Sequence, residues 1–414
     1  MGLLETFFGK DASLLHDRSF QILLAASVTS PLGASVVSPL LDTLTGPFGV
    51  SEAEIGLLIA VFTAPAIVMI PLVGMLSDRY GRKPVLTVGL LVFGLAGLAI
   101  PLTTDFRVVL GLRLVQGIGY TGIGPVLIAS VGDLYTGDRE ATAQGLRFTT
   151  VGLSLTVFPL VSGLLVALAW QYPFYLFVIA LPTAVLVHFV FEEPSEQGDG
   201  GGENPSLGEL LSLLADRNVL TTVLGRAVPS VLWFSLLTYN SIVVVRLLGG
   251  TPGQAGLLVA LASIGSSVGS TQLGRLTARL DSRRVLLAVA IAVQGAGIAA
   301  LALAPTFVVA AVAAGVAGVG FGVSLSLYRS VITGLVSAEH RGGLVSLGES
   351  VGRIGSTGTP VVMGTSIAVL QSTAGFESAV RWTIFGGAVL VTVAGWGLLF
   401  LGGTAATSTA PAEG

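Results

Sequence analysis

From Phe20 to Leu41 the chain carries no charged residue, and apolar stretches of similar length recur to the C-terminus. A helix needs about 20 apolar residues to cross a hydrocarbon core roughly 30 Å thick. Inside that core every backbone polar group must be satisfied within the segment or within a closed barrel. The runs lack the ten-residue apolar–polar alternation of barrel strands, so the chain reads as an all-α polytopic membrane protein. Composition agrees. Charged residues make up 10% of the 414 and mean hydropathy is +0.88, whereas soluble domains carry about 25% charge.

The pattern predicts twelve spans: Phe20–Leu41, Ile55–Leu76, Pro84–Leu102, Thr104–Gly132, Thr142–Ala169 and Phe174–Phe191, then Val219–Leu247, Gln254–Leu273, Arg284–Ala304, Phe307–Val336, Leu344–Leu370 and Ala379–Leu401. Pro31, Pro39, Ser30, Ser35 and Ser38 mark the first as irregular. Ser51 and Glu54 predict a capping box opening the second. Asp42–Glu54 and Asp133–Ala141 read as loops, with Asp42 solvated. Residues 1–19 form an N-terminal segment whose Leu4, Phe7 and Phe8 fit a short interfacial helix as well as a disordered tail. Residues 192–218, acidic around Gly198–Gly202, read as a solvated linker. Residues 20–191 and 219–402 are then two six-span bundles, and 403–414 a disordered tail.

The halves are related. Gly56-Leu57-Leu58-Ile59-Ala60 recurs as Gly256-Leu257-Leu258-Val259-Ala260. At the same offset Gly74-Met75-Leu76-Ser77-Asp78-Arg79-Tyr80-Gly81-Arg82-Lys83 recurs in degenerate form, with Gly274, Arg279 and Arg283 matching Gly74, Arg79 and Lys83. With both termini cytoplasmic, twelve basic residues fall in inside loops, Arg79, Arg82, Lys83, Arg139, Arg279 and Arg284 among them. Only Arg107, Arg246 and Arg381 fall outside. The positive-inside rule therefore sets that orientation.

Gly74-x-x-x-Asp78-Arg79-x-Gly81-Arg82-Lys83 resembles the signature of the major facilitator superfamily between helices 2 and 3. Within it the chain is most similar to twelve-helix drug:proton antiporters. The resemblance implies two pseudo-symmetric six-helix bundles, a cavity between them and alternating access. It also implies that Asp78, Arg79, Arg82 and Lys83 gate the cytoplasmic side, with Gly74 letting helices approach, Gly81 in the turn, and Asp133 as a partner of Arg82. A topology anchor is the plainer alternative. Arg113 in Gly111-Leu112-Arg113-Leu114-Val115-Gln116-Gly117-Ile118-Gly119 resembles the second motif, for which coupling and helix packing are both open. Ala314 stands at its counterpart. Gly145, Pro159 and Gly163 partly match the antiporter motif, with Ser154, Phe158 and Ser162 where glycines are expected.

Few other charges are embedded: Arg147, Arg226, Arg329, Glu349 and Arg353. Glu349 and Arg353, four apart, can pair along one helix face, and Glu349 is the candidate proton carrier. By family analogy the first and seventh spans line the cavity, which makes Ser30, Ser35, Ser38, Arg226, Trp233, Tyr239 and Asn240 substrate candidates. Gly265–Gly269 and Gly318–Gly322 read as close-packing pairs.

The absence of cysteine excludes disulfides and thiolate metal sites. The sequence holds no phosphate-binding G-x-x-x-x-G-K-[ST] loop, and His16, His188 and His340 are scattered. No cofactor, metal, nucleic acid or catalysis is expected. The chain reads as a monomeric secondary transporter in a plasma or inner membrane, exporting small organic compounds against protons. A metabolite, sugar or organic-anion uptake carrier is the first alternative, and a non-transporting sensor or scaffold the second.

Overall fold

The computed structural model describes residues 14–193, 209, 212–280, 282–336 and 341–402. The interfacial helix expected in residues 1–13, most of the expected linker and the tail lie outside these. Among the described residues every regular element is helical. Eleven are long and apolar enough to cross a membrane: α1 Arg18–Phe48, α2 Leu57–Tyr80, α3 Arg82–Leu102, α4 Phe106–Leu134, α5 Gly137–Leu165, α6 Tyr172–Val190, α7 Arg217–Leu247, α8 Pro252–Arg279, α9 Arg283–Ala302, α10 Phe307–Gly334 and α12 Phe376–Leu401. α11, Arg341–Ala374, is as long but richer in Ser, Thr and Gly.

Helix ends follow local chemistry. Asp17, Asp105 and Asp216 accept backbone N–H bonds at the starts of α1, α4 and α7, and Thr251 with Gln254 closes a full capping box on α8. The Asp17 carboxylate also accepts the Tyr135 hydroxyl at 2.7 Å. Burial and that carboxylate push the Tyr135 phenol well above its ordinary range. Interruptions fall at prolines, which cannot donate to the helical ladder. α1 breaks around Pro31 and Pro39, α2 ahead of Pro65, and α4 at Gly122–Ile123 ahead of Pro125.

Three sequence expectations change here. α1 continues through Leu41–Phe48, which buries Asp42 instead of solvating it. α5 starts at Gly137, so the expected charged loop shrinks to Tyr135 and Thr136. Ser51 N–H and Oγ both donate to the Glu54 carboxylate at 3.0 and 2.7 Å, but the regular helix begins only at Leu57.

The packing repeats between halves. α3 packs on α4 and α6 as α9 packs on α10 and α12; α2 packs on α4 as α8 on α10; α1 packs on α5 as α7 on α11. Across the halves, α5 meets α8 and α2 meets α11. The tightest crossing is α8 with α10. A Cβ at Gly265 would overlap the carbonyl of Gly315, and one at Gly318 that of Ala262. Glycine there lets two backbones touch, which supplies the van der Waals contact that holds helices together in lipid.

Candidate functional site between the bundles

One end of the molecule carries the α2–α3 and α8–α9 turns and is called the basic face. Gly81, φ +95°, turns the chain between α2 and α3, a conformation that only glycine takes without strain. Arg82 then folds back. Its guanidinium bonds Asp78 at 2.5 Å, Asp133 of α4 at 2.8 Å and the Ser77 hydroxyl at 2.6 Å. Glu193, placed by the sequence in a solvated linker, accepts the backbone N–H groups of Arg82 and Lys83 and so caps α3. A carboxylate at that terminus also meets the positive end of the helix dipole. Every one of these bonds lies within the first bundle. Asp78 is 58% exposed, and Arg79 lies over Tyr80 at 5.4 Å. Gly74 faces open space, so the close approach expected of it is absent. In the degenerate copy the last segment of α8, Leu273–Arg279, buries no residue.

The opposite end is a bonded seam between bundles. Ser38 Oγ donates to the Leu237 carbonyl at 2.5 Å and accepts from Asn240 Nδ2 at 2.7 Å. Ser241 Oγ donates to the Pro39 carbonyl at 2.9 Å and accepts from the Asp42 N–H at 3.2 Å. Arg246 of α7 bonds Asp42 of α1 at 2.6 Å and Glu52 at 3.3 Å. The broken helix around Pro39 frees the backbone groups that α7 side chains meet. Nearer mid-depth, the Thr63 and Thr357 hydroxyls lie 2.9 Å apart. A Cβ at Gly163 or Gly256 would overlap Pro252 or Pro159 where α5 meets α8, and Ser162 donates to the Val36 carbonyl at 2.5 Å. Among the described residues, most hydrogen bonds and ion pairs between bundles thus collect in the half of the molecule away from the basic face, and Arg353 with Tyr120 links the bundles nearer the middle.

The middle holds the embedded charges. Arg113 is fully buried. It donates to the carbonyls of Leu58 and Gly33 at 2.9 and 2.8 Å and to Gln116 at 2.7 Å, and lies 4.4 Å from the centroid of Phe62. It locks α1, α2 and α4 together, and no carboxylate is among its partners in the described residues. Glu349 does not bond Arg353. It accepts from Arg226 of α7 at 3.0 Å and Arg329 of α10 at 3.0 Å, because two partners on neighbouring helices outreach one on its own. Arg226, expected in the cavity, is spent on this pair and on Ser230. Arg353 instead reaches across the gap to Tyr120 of α4, 5.7 Å from its ring centroid. Arg147 of α5, 3% exposed, bonds Gln144 and leaves Nη2 without a partner.

The cavity candidates divide. Ser38 and Asn240 belong to the closed seam. Ser35 bonds its own helix at the Pro31 carbonyl, and Tyr239 is buried against the Pro360 carbonyl at 3.5 Å. Trp233 stacks on Phe321 with centroids 4.3 Å apart. The Ser30 hydroxyl has no partner. Sequence reasoning missed Asp42, Glu52, Arg246, Tyr120 and Glu193. For Asp42 and Arg246 a signal existed, since their positions differ by 204 and so fall near the repeat offset, at matching ends of α1 and α7.

The Major Facilitator Superfamily profile matches residues 23–245. The "Bacillibactin exporter" of Bacillus subtilis (strain 168) is 33% identical over 161 residues, 37% of this chain and 40% of that protein. The "3-(3-hydroxy-phenyl)propionate transporter" of Escherichia coli (strain K12) is 27% identical over 319 residues, 74% of this chain and 76% of that protein. Among solved structures, a bacterial homologue of the human lysosomal transporter Spinster, inward-facing and unoccupied, superimposes with a TM-score of 0.80 at 17% identity, covering 93% of this chain and 96% of that one.

Proposed function

The chain belongs to the major facilitator superfamily, and from that premise we propose that this multi-pass membrane transporter exports small organic compounds against protons by alternating access. The basic face is cytoplasmic, with both termini on that side, by the positive-inside rule. The observation that carries the reading is the uneven distribution of bonds between bundles. Seam bonds close the outer end, while among the described residues Asp78, Arg79, Arg82 and Lys83 have no bond to the second bundle. This is the arrangement of a carrier open to the cytoplasm.

Asp42 is the better-placed proton site. It sits in α1, 6% exposed, and its guanidinium partner Arg246 is on the other bundle. Glu52 shares Arg246, and Ser241 holds the Asp42 backbone. A proton arriving from outside on Asp42 removes the charge that holds Arg246, which loosens the seam. Glu349, by contrast, bonds two guanidiniums within one bundle, so its charge bridges nothing across the seam. The 3-(3-hydroxy-phenyl)propionate transporter matches far more of this chain than the exporter does. That match favours uptake of an organic anion as the second reading.

The test is reconstitution with a pH-sensitive dye inside proteoliposomes and addition of lipophilic cations, organic anions and sugars in turn. One class should shift the internal pH. Asp42→Asn should abolish that shift while radiolabelled counterflow of the same solute persists. Counterflow without any pH shift in the unmutated protein retires proton coupling; absence of both retires transport of these classes.

A further inference from the structure

Resting on the transporter reading, we propose that Arg147, Arg329 and Arg353, with Tyr120, form a carboxylate-binding site, and that the substrate is a small organic anion with an apolar body.

Around one carboxylate, Glu349, stand Arg226, buried, Arg353, half-buried, and Arg329, 44% exposed, while Arg147, buried in the other bundle, is not among its partners. That carboxylate is already bonded by Arg226 and Arg329. Arg353 comes within 5.7 Å of the Tyr120 ring across the bundles, and Arg147 is buried in the first bundle with its Nη2 unpartnered. Guanidiniums do not shed their protons, and an unbalanced charge at membrane depth is costly. The cluster therefore lacks an anion.

Arg113 shows what a structural arginine looks like in this fold, with its guanidinium tied to two backbone carbonyls and an amide oxygen. Arg147 is as deeply placed and differs. Its Nη2 has no acceptor, and the charged or titratable groups acting on it are Arg329 and the Tyr120 phenol. A planar guanidinium with free donors matches the two oxygens of a carboxylate.

The surroundings supply the rest of the selectivity. Arg147 and Tyr120 belong to the first bundle, Arg329 and Arg353 to the second. A carboxylate among them touches both bundles, as a ligand must if its binding is to bias their arrangement. Tyr120 is backed by Phe62 and Phe93 at 5.3 and 6.4 Å, an aromatic wall for an apolar body. A cation placed here would meet guanidiniums and one carboxylate that is already bonded to two of them.

Isothermal titration of the purified full chain in neutral-lipid nanodiscs tests this with phenylbutyrate, its neutral amide phenylbutyramide, and phenylbutylamine. The acid should bind at least about ten-fold more tightly than the amide, a difference of about 1.4 kcal/mol, and the amine should not bind. Arg147→Gln and Arg353→Gln should each bring the acid down to the amide's affinity, whereas Arg147→Lys should keep part of the preference. Equal binding of acid and amide, tighter binding of the amine, no binding by phenylbutyrate, benzoate or decanoate, or a preference that survives both Gln substitutions would each overturn the assignment. Equal or tighter binding of glycerol phosphate or inorganic phosphate would also overturn it, by giving the cluster to a lipid headgroup or a free ion. Counterflow of a cation or sugar alongside failure of all the acids would sink only this inference and leave the transporter reading intact.

Discussion

Arg82 bonds Asp78, Asp133 and Ser77 at once, yet Asp78 is mostly exposed and the pair is worth no more than a surface ion pair, about 0–1 kcal/mol. An Asp78→Asn protein should therefore fold, insert and melt as the parent does. It should lose solute-driven transport, because Asp78 is the carboxylate left available to the second bundle when the basic face closes. Counterflow measured beside a thermal melt checks this; undiminished transport would reduce the signature to a topology anchor. The partners of single residues were legible only where the chain brings them close or the motif names them. Arg82 and Asp133 could be paired because both lie at adjacent helix ends on one face. Arg226 with Glu349 could not, because the pair depends on which faces of two distant helices meet, and Asp42 with Arg246 carried no signal beyond a separation near the repeat offset. The partners of Arg113 were hidden for a related reason, since the carbonyls of Gly33 and Leu58 that accept from it lie on other helices.

Helices were legible where periodicity and small residues carry the information. Gly265, Gly269, Gly318 and Gly322 could be read as a crossing from their four-residue spacing, and they interleave at the α8–α10 contact. Boundaries were less legible. Pro47 and Gly46 are turn residues by composition, but Leu41–Phe48 stays helical because α7 buries its face. The span expected at Leu344–Leu370 runs longer, as Arg341–Ala374, and its hydroxyls mostly bond its own turns. The crossing makes a prediction at this scale. Gly318→Ala puts a methyl into the Ala262 carbonyl and should destabilise by about 1–3 kcal/mol as the helices part. Gly386→Ala in α12 faces open space and should be neutral or stabilise by up to about 1 kcal/mol, the ordinary gain of alanine over glycine in a helix. Melting curves of the two variants decide it. Equal shifts would mean that the α8–α10 contact is not what holds the second bundle together.

The whole molecule is two copies of one packing scheme, joined where α5 meets α8 and α2 meets α11. That arrangement leaves two ends that can separate in turn, and the bonds found between bundles say which end is closed. The polar bonds of the seam come from hydroxyls, an amide and one shared arginine, groups that trade partners at small cost, and on the proposed cycle they break and re-form. Thr63 of α2 and Thr357 of α11, their hydroxyls 2.9 Å apart across the gap, report on this directly. The chain has no cysteine of its own, so Thr63→Cys with Thr357→Cys introduces the only thiols, at a separation that a disulfide can bridge with a small adjustment. Oxidation should form the bond readily, stop counterflow and release it again on reduction. Adding Asp42→Asn should slow bond formation several-fold, because a neutral side chain no longer holds Arg246 and the outer end spends more time apart. Full transport by the cross-linked protein would mean that the bundles need not separate along α2 and α11. An unchanged cross-linking rate in the Asp42→Asn background would mean that the Asp42–Arg246 pair does not set the equilibrium between the two ends.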